Sequence, residues 1–334
     1  MATSSRDIVI GTQPAQQMTC MEVWGGSQLT TRTVELAGLD AWVYSRPYGQ
    51  AKRGGDVYYA SSCATGRIAR LLLADVSGHG NVVAATAADL RTLMRRFVNR
   101  LDQTEFVRLI NQQFAKLSEA GSFATAVIAT FFAPSGRLIV CNAGHPRPLI
   151  YRAESQEWNF LGHEGEDEAA PARNLPLGII DLAEHEQFDV ELQPGDCVLC
   201  YTDALIESRD ADGEMIGEDG LLRIMQVLGD VEPQALTKTL LDEIGHRYPE
   251  NLSDDDVTVL VVRANGRKAR YPLKDKVWTQ LRMIGSLIRG INPWAERPPL
   301  PDLNMANIGG AIIPALGRRW RATGKVQRPP NQAA

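Results

Sequence analysis

The sequence has no uninterrupted apolar run of the ~18 residues needed to cross a bilayer. Its opening, MATSSRDIVIGTQPAQQ, has no basic stretch leading into an apolar one. The chain therefore reads as a cytoplasmic protein without export signal or membrane span. Cysteine is scarce: Cys20, Cys63, Cys141, Cys197 and Cys200 are odd in number and unevenly spaced, which points to reduced thiols. Cys197 and Cys200 form a CxxC, but DCVLCYTD reads as a strand, where residues three apart face opposite sides. With no second cysteine pair or histidine cluster, a zinc or redox role is set aside. No repeat at a fixed period appears.

Acidic residues are nearly missing from the C-terminal part. Residues 266–334 hold 13 Lys and Arg against 3 Asp and Glu, a balance of +10; residues 1–265 hold 22 against 37, or −15. An acidic body with a basic tail suggests three parts: a lead-in over 1–40, a functional domain over 41–265 and a basic extension over 266–334. Pro293, Pro298, Pro299 and Pro301 resist packing, so the extension is expected to be partly disordered. Its amphipathic VWTQLRMIGSLIRGI and apolar ANIGGAIIPALG suit a peripheral membrane surface or a partner groove. A nucleic-acid role is disfavoured by the acidic body and the lack of aromatic interleaving in the tail.

The body alternates two grammars. AWVYSRP, DVYYAS and RIARLLLAD are short branched and aromatic runs between turns, predicting antiparallel strands. Next, Val83, Ala87, Leu90, Met94 and Phe97 recur at helical spacing, as do Phe106, Leu109, Ile110, Phe114 and Leu117. FATAVIATFFA, RLIVCNAGH and RPLIYR read as a hairpin continuing into a third strand, a meander. Residues 154–175 read as a mobile acidic loop. HEQFDVEL, CVLCYTD and DVTVLVVRAN predict strands, and helices are expected at 218–228 and 233–247. Runs of strands interrupted by helix pairs argue for an α+β layered fold.

Four acidic segments then stand out: GGD ending at Asp56, DVSGHG from Asp75, TDA around Asp203 and DDDVT from Asp254. Any one aspartate reads most simply as a turn residue or helix cap. Several carboxylates converging at strand ends suit hard divalent cations, which prefer oxygen ligands. Adjacent carboxylates such as Asp254, Asp255 and Asp256 also raise one another's pKa unless a cation binds.

In series, GGDVYY, LLLADVSGHG, FATAVIATF, NAGHPRPLIYR, LPLGI, LQPGDCVLCYTDALIES and DDDVTVLVV resemble the SpoIIE-like branch of the PPM-type metal-dependent serine/threonine protein phosphatases. The resemblance spans about residues 45–264 and implies a four-layer αββα sandwich with two Mn²⁺ or Mg²⁺ ions at one end. The implied substrate is phosphoserine or phosphothreonine in a protein, such as an anti-sigma-factor antagonist in bacterial partner switching; a homodimer is compatible with it. Carried over, Asp56, Asp75, the Val76 carbonyl, Asp203 and Asp255 hold the metals, with Asp75 between them and Asp75 and Asp203 as the catalytic pair. Arg46, Lys52 and Arg53, preceding GGD, are candidates to hold the incoming phosphate. His79 reads as a structural residue at a helix start and His145 as a hydrogen-bonding loop residue. The family has TDG where this chain has Thr202, Asp203 and Ala204, and the added methyl is expected to crowd the second metal or shift the backbone. The alternative is a phosphatase-like module that binds a partner without turnover.

Overall fold

A computed structural model describes residues 16–17, 23–49, 51–62, 67–77, 83–97, 100, 102–117, 122–162, 174–180 and 183–267. The readings of His79 and of the extension from residue 268 onward lie outside them. The chain first lays down β1 (Gln16–Gln17), β2 (Val23–Gly26), β3 (Thr30–Glu35), β4 (Leu39–Arg46), β5 (Val57–Ser62) and β6 (Ile68–Val76). Helices α1 (Ala84–Phe97) and α2 (Gln103–Leu117) follow, then β7 (Ala124–Phe132), β8 (Arg137–Ala143), β9 (Leu149–Arg152), β10 (Glu157–Phe160), β11 (Phe188–Glu191) and β12 (Cys197–Tyr201). Last come α3 (Gly217–Leu228), α4 (Pro233–Arg247) and β13 (Val257–Ala264).

Two sheets result, ordered β1-β3-β4-β13-β12-β9-β10 and β11-β8-β7-β6-β5-β2. Their central strands are apolar at nearly every position because both faces are covered. In β6, Leu71 and Leu73 face the other sheet, while Leu72, Ala74 and Val76 face α1 and α2. In β13, Leu260 and Val262 face the other sheet, while Val257, Val259 and Val261 face α3 and α4. The layers are therefore helix, sheet, sheet, helix. Local chemistry sets the helix ends: Asp102 Oδ1 accepts from the Glu105 N–H at 2.9 Å, Pro233 opens α4, and Gly229 stops α3 at φ 63°.

Several expectations need correction. β7 and β8 form the predicted hairpin, but β9 pairs with β10 and β12 in the opposite sheet, so the meander breaks at Gly144, which turns at φ 65°. Residues 154–175 are not one loop. They include β10, because Trp158 buries its ring at 5.4 Å from Tyr151 and donates its indole N–H to Gly229 O at 3.0 Å. Leu117, expected on the buried stripe of α2, is exposed, and Val107 is buried instead. Cys197 and Cys200 do face opposite sides, one toward the helices and one toward the other sheet. Burial pushes both thiols up to about 12, so they stay protonated packing groups. Strands β1 to β3 lie within the lead-in, and both sheets use it. Among the described residues no helix is long and apolar enough to cross a membrane.

Candidate functional site

Strand parity determines what gathers at one end of the sandwich. Tyr58 and Ala60 of β5, Leu71 and Leu73 of β6, Val198 and Cys200 of β12 and Leu260 and Val262 of β13 face the slot between the sheets. The same alternation carried to the strand ends places Asp56, Asp75, Thr202, Asp256 and Thr258 on that face. Asp75 lies opposite Thr125 of β7, and Thr258 lies opposite Ser45 of β4, their hydroxyls 3.0 Å apart. The slot thus changes from apolar to polar over two or three residues.

Asp56 is buried and accepts a hydrogen bond from Thr202 Oγ1 at 2.9 Å. Burial, and next the charge of Asp75, push its pKa well above the usual carboxylate range, while hydrogen bonds from Thr258 and Thr202 pull it back. Asp75 rises to about 8, first through burial and then through the charges of Asp203, Asp255, Asp256 and Glu207. Asp203 opens a 3-10 turn after β12 and is raised by burial and by Glu207. The four predicted aspartates therefore share one electrostatic field. Val76, at the end of β6, donates its N–H to Gly55 O at 3.4 Å, tying the strand to the GGD loop.

Two acidic residues were not singled out from sequence. Glu207 lies one helical turn from Asp203, with its N–H on Asp203 O at 2.8 Å, and that i to i+4 spacing was legible in TDALIE. Asp256 is buried, and its carboxylate accepts from the N–H groups of Tyr48 at 2.5 Å, Gly55 at 2.5 Å and Asp56 at 3.4 Å. It holds the GGD loop, while half-buried Asp255 accepts from the Asp256 N–H at 2.7 Å and adds its charge at Asp75.

Ala204 does not strain the turn. It keeps an ordinary negative φ, its methyl is buried in the cluster beneath α3 and α4, and its carbonyl accepts from Ser208 Oγ at 2.8 Å. Arg46 sends its guanidinium to Leu252 O, whereas Lys52 and Arg53 are exposed on the loop before GGD. His145 is buried, with Nδ1 at 2.8 Å from Thr125 Oγ1 and its backbone fixed by Asn142 on both sides.

The donors are all carboxylate and carbonyl oxygen, which suits a hard divalent cation, and a cation would relieve the repulsion that raises Asp75. Among the described residues, no three His, Cys, Asp or Glu side chains yet form a group close enough to hold a metal. The structure therefore presents an acidic field of suitable chemistry rather than a closed coordination shell.

Residues 65–265, more than half of the chain, match the family model described as stage II sporulation protein E (SpoIIE). Over 236 residues the chain is 22% identical to the phosphoserine phosphatase RsbU of Bacillus subtilis, covering 70% of this chain and 66% of that relative, just under two thirds of its length. The fold is similar to the RsbU and RsbW domains of a Mycobacterium tuberculosis protein, with TM-score 0.56 and 21% identity over 81% of this chain and 80% of that one. It is also similar to the PP2C phosphatase domain, with a fragment of the regulatory domain, of SpoIIE from Bacillus subtilis, with TM-score 0.53 and 19% identity over 74% of this chain and 64% of that one. At these identities the structural likeness speaks to the fold.

Proposed function

The chain belongs to the SpoIIE family, and from that premise we propose that it is a metal-dependent phosphatase of phosphoserine or phosphothreonine in proteins. One observation carries the reading: Asp75, at the polar end of the slot, is surrounded by the charges of Asp203, Asp255, Asp256 and Glu207. Carboxylates crowded in this way are stable as anions only with a cation among them.

Asp56, Asp75, the Val76 carbonyl, Asp203 and Asp255 would hold two Mn²⁺ or Mg²⁺ ions. When bound, such ions supply a water of lowered pKa and offset charge on the phosphoryl oxygens. Hydrolysis forms one P–O bond to the water oxygen and breaks the ester P–O bond, so the seryl or threonyl oxygen leaves with a proton and inorganic phosphate departs. Thr202 and Asp256 keep Asp56 oriented. Lys52 and Arg53, exposed on the loop before GGD, would meet the phosphate, Arg46 being engaged with Leu252 O. The similarity to a phosphoserine phosphatase supports phosphoserine as the group removed; an anti-sigma-factor antagonist in bacterial partner switching, in the cytoplasm, is the substrate and setting that the family resemblance implies.

A second reading, a phosphatase-like module that binds a partner without turnover, draws on the absence of a closed carboxylate group among the described residues. Assays with p-nitrophenyl phosphate and a phosphoserine peptide, with Mn²⁺ or Mg²⁺ and then with chelator, separate the two. Metal-dependent hydrolysis supports the enzyme. Metal binding without hydrolysis, or no binding, supports the module.

A further inference from the structure

Large hydrophobic side chains exposed on this protein are not evenly spread. Eight are exposed among the described residues, and three of them, Leu29, Tyr48 and Phe123, lie on loops at the carboxylate end of the sandwich, with Ile179 and Ile180 next to it beside α2, where Asn111 donates to Ile180 O at 2.8 Å. Four backbone links join these loops into one rim. Gly54 N–H donates to Ser27 O at 2.8 Å, beside Leu29, and Val76 N–H donates to Gly55 O at 3.4 Å. Ser77 N–H donates to Phe123 O at 2.9 Å, and Ala124 exchanges bonds of 2.9 and 2.7 Å with Leu177, which leads into Ile179 and Ile180. Tyr48 joins the same edge through its N–H on Asp256. Scattered exposed hydrophobics are ordinary, but a contiguous set bordering one site marks a contact surface.

Charge identifies what that surface meets. Lys52 and Arg53 are exposed on the loop that carries Tyr48, while Asp203, Asp255, Asp256 and Glu207 make the field at Asp75 acidic. The complementary occupant carries an anion at its centre and apolar, not acidic, groups on either side. Ser77, whose N–H bonds Phe123 O, stands two residues beyond Asp75, about 7 Å of extended chain, so a residue two or three places from a phosphoserine spans the distance from Asp75 to the Phe123 loop.

We infer that this rim is the docking surface for apolar residues flanking the phosphorylated residue, so that the protein selects phosphoproteins with hydrophobic rather than acidic flanks. The inference rests on the phosphatase reading and specifies its substrate.

The test measures kcat/KM of the whole chain with Mn²⁺ on two phosphoserine peptides of equal length, one with Leu and Ile flanks and one with Asp and Glu flanks, beside p-nitrophenyl phosphate. The apolar peptide is expected to be favoured by about ten-fold or more, mainly through KM, as burial of one or two side chains would give. Leu29→Asp and Ile179→Asp should each move that ratio toward one, and Ile179→Ala should do so in part, in variants whose thermal melting shows them folded. Equal kcat/KM for the two peptides, or folded variants that keep the wild-type ratio, overturns the inference alone. Lack of preference together with an altered oligomeric state in Ile179→Asp assigns the rim to a second copy and overturns it too. Absence of any hydrolysis, p-nitrophenyl phosphate included, overturns the phosphatase reading and the inference with it.

Discussion

The hydroxyl of Thr202 donates to Asp56 Oδ2 at 2.9 Å, and the two residues come from different sheets. Thr202 follows the last residue of β12, Asp56 precedes the first of β5, and the Thr258 N–H donates to Thr202 Oγ1 at 3.0 Å. One side chain thus links three carboxylate-bearing segments.

Thr202→Val removes that donor while keeping the shape. Asp56 then loses a hydrogen bond in a buried place, and the Thr258 N–H loses its acceptor, at a cost of about 1–3 kcal/mol. Urea unfolding should show a lower midpoint with unchanged slope, and phosphatase turnover should fall with it. An unchanged midpoint would show that the link carries no energy.

Asp256 and Gly54 test the GGD loop from two directions. A Cβ on Gly54 would lie 2.3–2.4 Å from the Asp256 carboxyl atoms, so Gly54→Ala must displace a group fixed by three N–H bonds. Asp256→Ala leaves the same N–H groups unpaired. Each variant is expected to lose about 2–4 kcal/mol of stability, with Asp256→Asn milder because one oxygen still accepts. Thermal and urea unfolding check this order, and equal stability of all three with wild type would contradict it.

His145 makes stability sensitive to acid. Burial lowers its pKa to about 3, well below the ordinary 6.5. Between those values the unfolded chain binds a proton that the folded chain does not. The contribution is therefore intact above pH 6.5 and is lost as pH falls below it, by about 1.4 kcal/mol between pH 7.5 and 5.5. Because raised carboxylates such as Asp75 titrate in both proteins, urea titrations at the two pH values should show this loss as the difference between wild type and His145→Asn. The same pH difference in both proteins would remove His145 from the explanation.

The elements were legible where the pattern was strong: α1 keeps its buried residues at helical spacing on one face, and β6 and β13, buried on both faces, leave long apolar runs. Sheet membership was not. RPLIYR follows its hairpin in sequence, and only the turn at Gly144 sends it to the other sheet. Trp158 hid a strand inside an acidic stretch, because one aromatic side chain contributes more burial than the surrounding charges oppose. At the site, Asp56, Asp75, Asp203 and Asp255 could be named as candidates from motif order, their metal-holding role being our proposal. The task of Asp256 could not, since its partners are backbone N–H groups about 200 residues away in sequence. Arg46 looked like a phosphate ligand until its carbonyl partner at Leu252 appeared, held at a positive φ of 62°.

Joint binding of divalent cations by the four aspartates is what phosphate-ester hydrolysis would require here. Its most direct test is a Mn²⁺ titration of wild type and Asp75→Asn by calorimetry, with phosphopeptide turnover measured on the same samples. Wild type is expected to bind Mn²⁺ and hydrolyse the peptide, and Asp75→Asn to lose Mn²⁺ affinity and about 10³-fold in kcat while remaining folded. Asp75→Asn with wild-type Mn²⁺ affinity and turnover would contradict the claim.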